Sequence, residues 1–259
     1  MGVVVEREGR AEGGHVLRVT IDNEARLNSL NLALMEELVE AMAPAAADPE
    51  LRLAVVTGAG ERAFIGGADV GEIAALDRGR AVAFITAVHG CCDAFRRLPV
   101  PVIARIDGWT LGAGLELAAA CDLRVASDRS RFGMPEVRIG IPSVVEAALL
   151  PQLVGHGRAR RLLLTGEPIG ADEALDWGLV DAVAPPDALD ETVARLAAAI
   201  LAGGPRAVRL QKALILDWEE LPTAAAVRRG IDVFASAFES EEPRRMAEAA
   251  LAALRARRK

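Results

Sequence analysis

Two carboxylates stand in surroundings that offer little to offset their charge. Glu116 lies in GWTLGAGLELAAACD (residues 108–122), a run that is otherwise small and apolar apart from its terminal Asp. Glu136 lies in FGMPEVRIGIP, on a stretch bracketed by Pro135 and Pro142. A carboxylate buried without a partner is costly and responds by raising its pKa. Two such groups, one protonated and one ionised, can deliver a proton at one point of a substrate and accept one at another. Each also has a plainer reading. Glu116 in the first turn of a helix complements the helix dipole, and Glu136 can pair with Arg138 at the surface.

Glycines near these acids supply a second ingredient. TGAG (57–60), FIGGADV (64–70) and GWTLGAGLE (108–116) each follow a strand-like run. Small residues there let a ligand approach the backbone closely. Gly112, Ala113 and Gly114 precede a helical run, so their N–H groups face outward at its positive end. Such an end suits a phosphate, a carboxylate or a developing oxyanion. A dinucleotide fingerprint is the rival reading, but Leu117 stands where its third glycine belongs.

The elements that must hold these residues read as α/β. The first 20 or so residues form two short strands around a Gly-rich turn. Buried strands are expected at 52–60, 100–108 and 123–127, the first two ending in glycine. Helical spacing covers 32–43, ending near Pro44, and 80–98, ending before Pro99. Further helices are expected at 144–153, 157–164, 171–177, 187–201, 205–216, 223–238 and 242–257. Strands alternating with helices and then a helical tail imply an α/β core with a C-terminal helical extension.

Composition narrows the function classes. The 259 residues carry a net charge of -7, with 3% aromatics and no Tyr. That argues against a general nucleic-acid or anionic-membrane surface. Cys91, Cys92 and Cys121 have no metal-ligand spacing, which suits a reducing compartment. The N-terminal MGVVVEREGR has no signal-peptide apolar run, and no stretch of about 18 apolar residues suggests a membrane span. A cytoplasmic enzyme with no metal and no separate cofactor is the expectation.

FIGGADV, GWTLGAGLELAAACDLRVAS and FGMPEVRIGIP, in this order, resemble the enoyl-CoA hydratase/isomerase (crotonase) superfamily. NEARLNSLNLALMEEL (23–38) and LLLTGEPIGADEALDWGLVDAVAP (162–185) add to the likeness, which spans roughly residues 16–186. The resemblance implies a crotonase-like fold of repeated ββα units. It implies a core domain over 1–200 and a helical trimerisation region over 201–259, the assembly being a homotrimer or a hexamer made of two trimers. By the same resemblance, the backbone N–H groups of Ala68 and Ala113 form an oxyanion hole for an acyl-CoA thioester. Glu116 would orient and activate the water attacking Cβ, and Glu136 would supply the proton at Cα. Arg26, Leu27, Ala68, Asp69, Val70, Gly71 and Ala113 would line the substrate path, coenzyme A arriving as part of the substrate. Lys212 is a candidate phosphate ligand from the tail.

Isomerases of the family typically keep one carboxylate, so the pair favours an enoyl-CoA hydratase. Isomerase, thioester hydrolase and decarboxylase chemistry on the same fold remain alternatives, as does, more remotely, a non-enzymatic RNA- or protein-binding member. One departure stands out. Where relatives place a Gly-rich segment after GIP, this chain has SVVEAALLPQLVG (143–155), which narrows the site beside Glu136 and adds Glu146. His89 reads as a residue of a helix surface, Trp109 as packing at the site's mouth, and Asp69 as a substrate contact or a helix cap.

Overall fold

A computed structural model describes residues 1–256 of the chain. The strands β1 (Gly2–Gly9) and β2 (His15–Asp22) form the expected hairpin around the Gly-rich turn. Helix α1 (Leu32–Ala47) starts at Asn31, whose side chain accepts the Leu34 N–H at 2.9 Å. It does not stop at Pro44 as expected. Pro44 and Glu40 face solvent, so the carbonyl deprived of a helical donor can meet water, while Met42 and Ala45 extend the buried stripe past the proline.

The next elements are β3 (Leu51–Gly58), β4 (Ala63–Ile65), α2 (Val70–Ala74) and α3 (Arg78–Arg96). β5 (Val102–Ile106), β6 (Trp109–Leu111) and α4 (Ala113–Ala120) follow, then β7 (Leu123–Ser127) and β8 (Arg131–Gly133). In each ββ pair the first strand joins one sheet and the second joins another. β3, β5 and β7 sit in a six-stranded sheet ordered β1-β2-β3-β5-β7 and one later strand, parallel from β2 onward. β4, β6 and β8 line up side by side, also parallel, in a short second sheet. This is the repeated ββα architecture. Its tight turns between sheets explain the glycines: a β-carbon on Gly108 would collide with the Arg62 carbonyl, and one on Gly58 with the Phe64 carbonyl.

Beyond β8 the chain forms α5 (Leu150–Val154), α6 (His156–Thr165), β9 (Ile169–Gly170), α7 (Ala171–Trp177) and β10 (Ala182–Ala184). The expected helix at 144–153 is instead a 3-10 segment, Val145–Leu149, running into α5. Val145 is the cause: its φ of 36° is outside the helical region and rarely adopted by a β-branched residue. β9 closes the short sheet antiparallel to β8, and β10 is the edge of the long one.

α8 (Leu189–Leu201) covers one face of the long sheet, packing Leu189 and Val193 on Leu53, Val55, Ile103 and Val125. The larger core fills the other face, between the two sheets, α1, α3 and α4. The tail comprises α9 (Pro205–Glu220), α10 (Thr223–Ala237) and α11 (Glu242–Ala256). Arg257, the expected end of the last helix, lies outside the described residues. Among the described residues no helix is long and apolar enough to cross a membrane.

Candidate active site

α4 is short because it is buried on all sides: every residue from Ala113 to Ala120 is inaccessible to solvent or nearly so. Its sequence, AGLELAAA, is small enough to fit against β4 and α3. Gly114 is required there, since a β-carbon would overlap the Ile65 carbonyl oxygen. Gly112 precedes the helix at φ 51°, and its N–H donates to the Gly133 carbonyl of β8 at 2.9 Å. The turn ties α4 to the short sheet and leaves the Ala113 N–H at the helix's positive end.

Ala68 is held with similar care. A parallel bridge joins Leu30 and Ala68, through Leu30 N–H to the Gly67 carbonyl at 2.9 Å and Asp69 N–H to the Leu30 carbonyl at 2.8 Å. Its own N–H takes no partner among the described residues. Asn28, fully buried at φ 56°, braces the segment leading into β4, its amide donating to the Ala59 and Ala63 carbonyls at 2.9 and 2.8 Å. This bracing by Asn28 escapes sequence reasoning, although the Asn-rich NEARLNSLN stretch is its signal.

A cavity of about 590 Å³ opens at these turns. Ala68, Val70, Ala113, Glu116 and Glu136 all line it, so the structure brings both expected carboxylates and both expected N–H donors to one place. Apolar side chains from α3, Phe84, Ile85 and Val88, complete one wall, and Ile139, Ile141 and Val144 another. Such a wall suits an acyl chain or other apolar group.

The two acids have different environments. Glu116 is 4% exposed and accepts the Ala147 N–H at Oε1 (3.3 Å). Burial, reinforced by the Glu136 carboxylate, pushes its carboxyl up to about 8. Glu136 is half-buried on the cavity side. Burial also raises its pKa, while a hydrogen bond from the Ser143 hydroxyl to Oε2 (2.7 Å) acts in the opposite direction. It pairs with Ser143 rather than with Arg138, whose Nε donates to the Thr165 carbonyl at 2.9 Å. The ligand-free pair therefore keeps one proton near neutral pH, and the more buried Glu116 is the favoured holder.

Other expected substrate residues divide. Arg26 and Asp69 meet each other, Nη1 to Oδ2 at 2.8 Å. Asp69 caps α2 by accepting the Glu72 N–H at 3.1 Å, and that bond, with Arg26, holds its carboxyl below the usual range. Gly71 lies in the first turn of α2, where a β-carbon would press on Asp69 Oδ1. Leu27, at φ 56°, accepts the Gly66 N–H at 2.8 Å. Arg26, Leu27, Asp69 and Gly71 thus brace the segment that carries Ala68 and are not among the residues that line the cavity.

Three expectations are corrected. Lys212 is 3% exposed and its Nζ donates to Asp122 Oδ2 at 2.6 Å, so it is a buried structural cation with no reach to a phosphate. Trp109 is absent from the cavity wall and 40% exposed. His89 is more than a surface residue: its Nδ1 lies 2.7 Å from Glu146 Oε1.

The comparisons with known proteins agree with this geometry. The family model described as enoyl-CoA hydratase/isomerase matches residues 11–254. A short-chain-enoyl-CoA hydratase of Clostridium acetobutylicum is 36% identical over 246 residues, covering 93% of this chain and 90% of that protein. A crotonyl-CoA hydratase of Syntrophomonas wolfei is 35% identical, covering 86% of each. The crystal structure of an enoyl-CoA hydratase from Bacillus anthracis superposes with a TM-score of 0.89 at 32% identity, covering 96% of this chain and 95% of that one. With cavity, paired acids and unpartnered backbone donors on the same crossing of two sheets, the chain belongs to the enoyl-CoA hydratase/isomerase family.

Proposed function

We propose that the protein is an enoyl-CoA hydratase, reversibly adding water to the double bond of a 2-trans-enoyl-CoA to give the 3-hydroxyacyl-CoA. One observation carries this reading: Glu116 and Glu136 face one cavity from separate elements, beside the backbone donors of Ala68 and Ala113. The thioester oxygen would accept from those two N–H groups. They stabilise negative charge that exists only once the enolate forms, an effect worth about 2.7–4 kcal/mol per donor. In the form of the pair whose one proton sits on Glu136, the ionised Glu116 takes a proton from the water as the oxygen bonds to Cβ. The π electrons move to the enolate, which Glu136 then protonates at Cα. An isomerase needs only one acid to move a proton, which is why the pair favours hydration.

The apolar walls support an acyl-CoA substrate, and the names of the relatives above point to short chains. A homotrimer or a dimer of trimers is the proposed assembly. In support, α10, the Phe238 that follows it and α11 leave Val227, Ile231, Phe234, Phe238 and Leu254 exposed. Sedimentation as a monomer would contradict it. The activity is tested by loss of enone absorbance from crotonyl-CoA, with a product heavier by one water. Glu136→Gln should lower kcat by about 10²–10⁴-fold; unchanged turnover would remove Glu136 from the role of proton donor.

A further inference from the structure

A carboxyl group has two oxygens, and it delivers a proton efficiently only from the oxygen that faces the target. In Glu136 the two have different surroundings. Oε2 accepts a hydrogen bond from the Ser143 hydroxyl at 2.7 Å. Oε1 lies against Gly112, in the space a β-carbon there would fill, at the turn that presents the Ala113 N–H. The Gly112 N–H is committed to the Gly133 carbonyl at 2.9 Å, and no other residue among the described ones donates to Oε1. The Ser143 hydroxyl has no second acceptor among the described residues. Its hydrogen therefore points at Oε2, and a proton on Glu136 belongs on Oε1.

Ser143 opens a segment, residues 143–147, that hands one donor to each acid. Its own hydroxyl reaches Glu136, while the Ala147 N–H meets Glu116 Oε1 at 3.3 Å. Midway between the two donors stands Val145, strained at φ 36°. Backbone strain of this kind persists only where surrounding structure holds it, and it clusters at functional positions. Ser143 is half-buried and lines the cavity beside Glu136.

We propose that Ser143 is a positioning residue for Glu136, fixing Oε2 as the acceptor oxygen so that Oε1 delivers the proton to Cα. The proposal rests on the hydratase reading. In the protonation step the Oε1–H bond breaks toward oxygen, and the electron pair of the enolate forms the Cα–H bond. Glu136 becomes a carboxylate as it does so, and the Ser143 bond strengthens as charge grows on its acceptor. That gain is absent from the ground state and present in the transition state. The other charged groups of the cavity wall do not replace the hydroxyl. Arg138 Nε is turned to the Thr165 carbonyl at 2.9 Å, and Asp77 is held by Arg80 Nε at 3.0 Å. Arg78 begins α3 and makes no hydrogen bond to Glu136, and Glu116 is itself an acid.

The test is Ser143→Ala, with Ser143→Thr as the variant that keeps a hydroxyl. With crotonyl-CoA, Ser143→Ala should lower kcat about tenfold or more. KM should be nearly unchanged, since the lost bond goes to Glu136 and not to substrate. The acid limb of kcat/KM, where the pair gives up its first proton, should move to higher pH. Burial raises the Glu136 pKa and the Ser143 bond opposes it, so its loss lets Glu136 hold a proton longer. Ser143→Thr should retain most of kcat and the wild-type limb. An active wild type whose Ser143→Ala variant keeps both kcat and the acid limb overturns the role of Ser143 alone. Equal losses in the two variants, or a loss confined to KM, overturn it as well. A wild type that does not hydrate enoyl-CoA overturns the hydratase reading and the role of Ser143 with it.

Discussion

The carboxylate of Glu136 occupies the space that a β-carbon on Gly112 would fill. Gly112 also stands at φ 51° with ψ -121°, a combination that side chains resist. Two constraints therefore fall on one residue, and both concern the site. Gly112→Ala should displace Glu136 and twist the Ala113 N–H away from the cavity. We expect kcat for crotonyl-CoA hydration to fall at least about 100-fold. Folding should cost only about 1–3 kcal/mol. A variant that melts slightly lower yet turns over normally would dissociate the turn from catalysis.

Hydration should depend on a single proton shared by the acid pair. Glu116 titrates at about 8, so raising pH through that value strips the pair of its proton and activity falls. Glu146→Gln removes a negative charge that helps to hold Glu116 high, which moves the alkaline limb of kcat/KM to lower pH. A limb that stays in place would show that Glu146 is too well screened to be felt by Glu116.

The buried acid should also cost stability. The Glu116 carboxyl is raised from 4.5 to about 8 on folding, so the folded state favours its neutral form. That contribution is full below about 4.5, declines as pH rises and is gone above about 8. Gln has no charge to acquire. Glu116→Gln should therefore raise Tm at alkaline pH by at least about 2 °C, the change that roughly 1 kcal/mol produces in a chain of this size. Calorimetry should find a smaller gain, or none, under acidic conditions.

Lys212 and Asp122 tie the tail to the core. Asp122 Oδ2 accepts both the Lys212 ammonium at 2.6 Å and the Val102 N–H at 2.7 Å. Lys212→Ala would leave a carboxylate without its cation, at a cost of about 3–5 kcal/mol where such a pair is buried. Thermal melting should report that loss while KM for crotonyl-CoA is preserved in the folded fraction. A raised KM with unaltered melting would return Lys212 to the role of a phosphate ligand.

What the sequence made legible was local. Glu116, Glu136, Ala68 and Ala113 sit in short glycine-bearing motifs, and the cavity unites all four. The alternation of strands and helices was equally plain, because buried parallel strands read as short β-branched runs. Pairings across long separations were not. His89 and Glu146 lie 57 residues apart, and each alone looks like an ordinary polar residue of a helix. Lys212 shows the reverse error: a lone lysine in a tail suggests a phosphate ligand, and only packing reveals that Asp122 has claimed it. Helix ends failed where backbone and context outweighed propensity, at Pro44 and at Val145.

The short sheet has a geometric consequence. β4 pairs with β6 in a register that sets Ile65 opposite Thr110, and Ala68 and Ala113 each follow three residues after these partners. Glu136 emerges three residues past the end of β8, on the other side of β6. Ala68, Ala113 and Glu136 thus stand just past the ends of three neighbouring strands, β4, β6 and β8, which lie about 4.8 Å apart as in any sheet. The spacing of these strand ends is inherited from peptide geometry and needs no tuning by side chains. The turn after β8 can therefore change in sequence without moving the strand ends that carry Ala68 and Ala113.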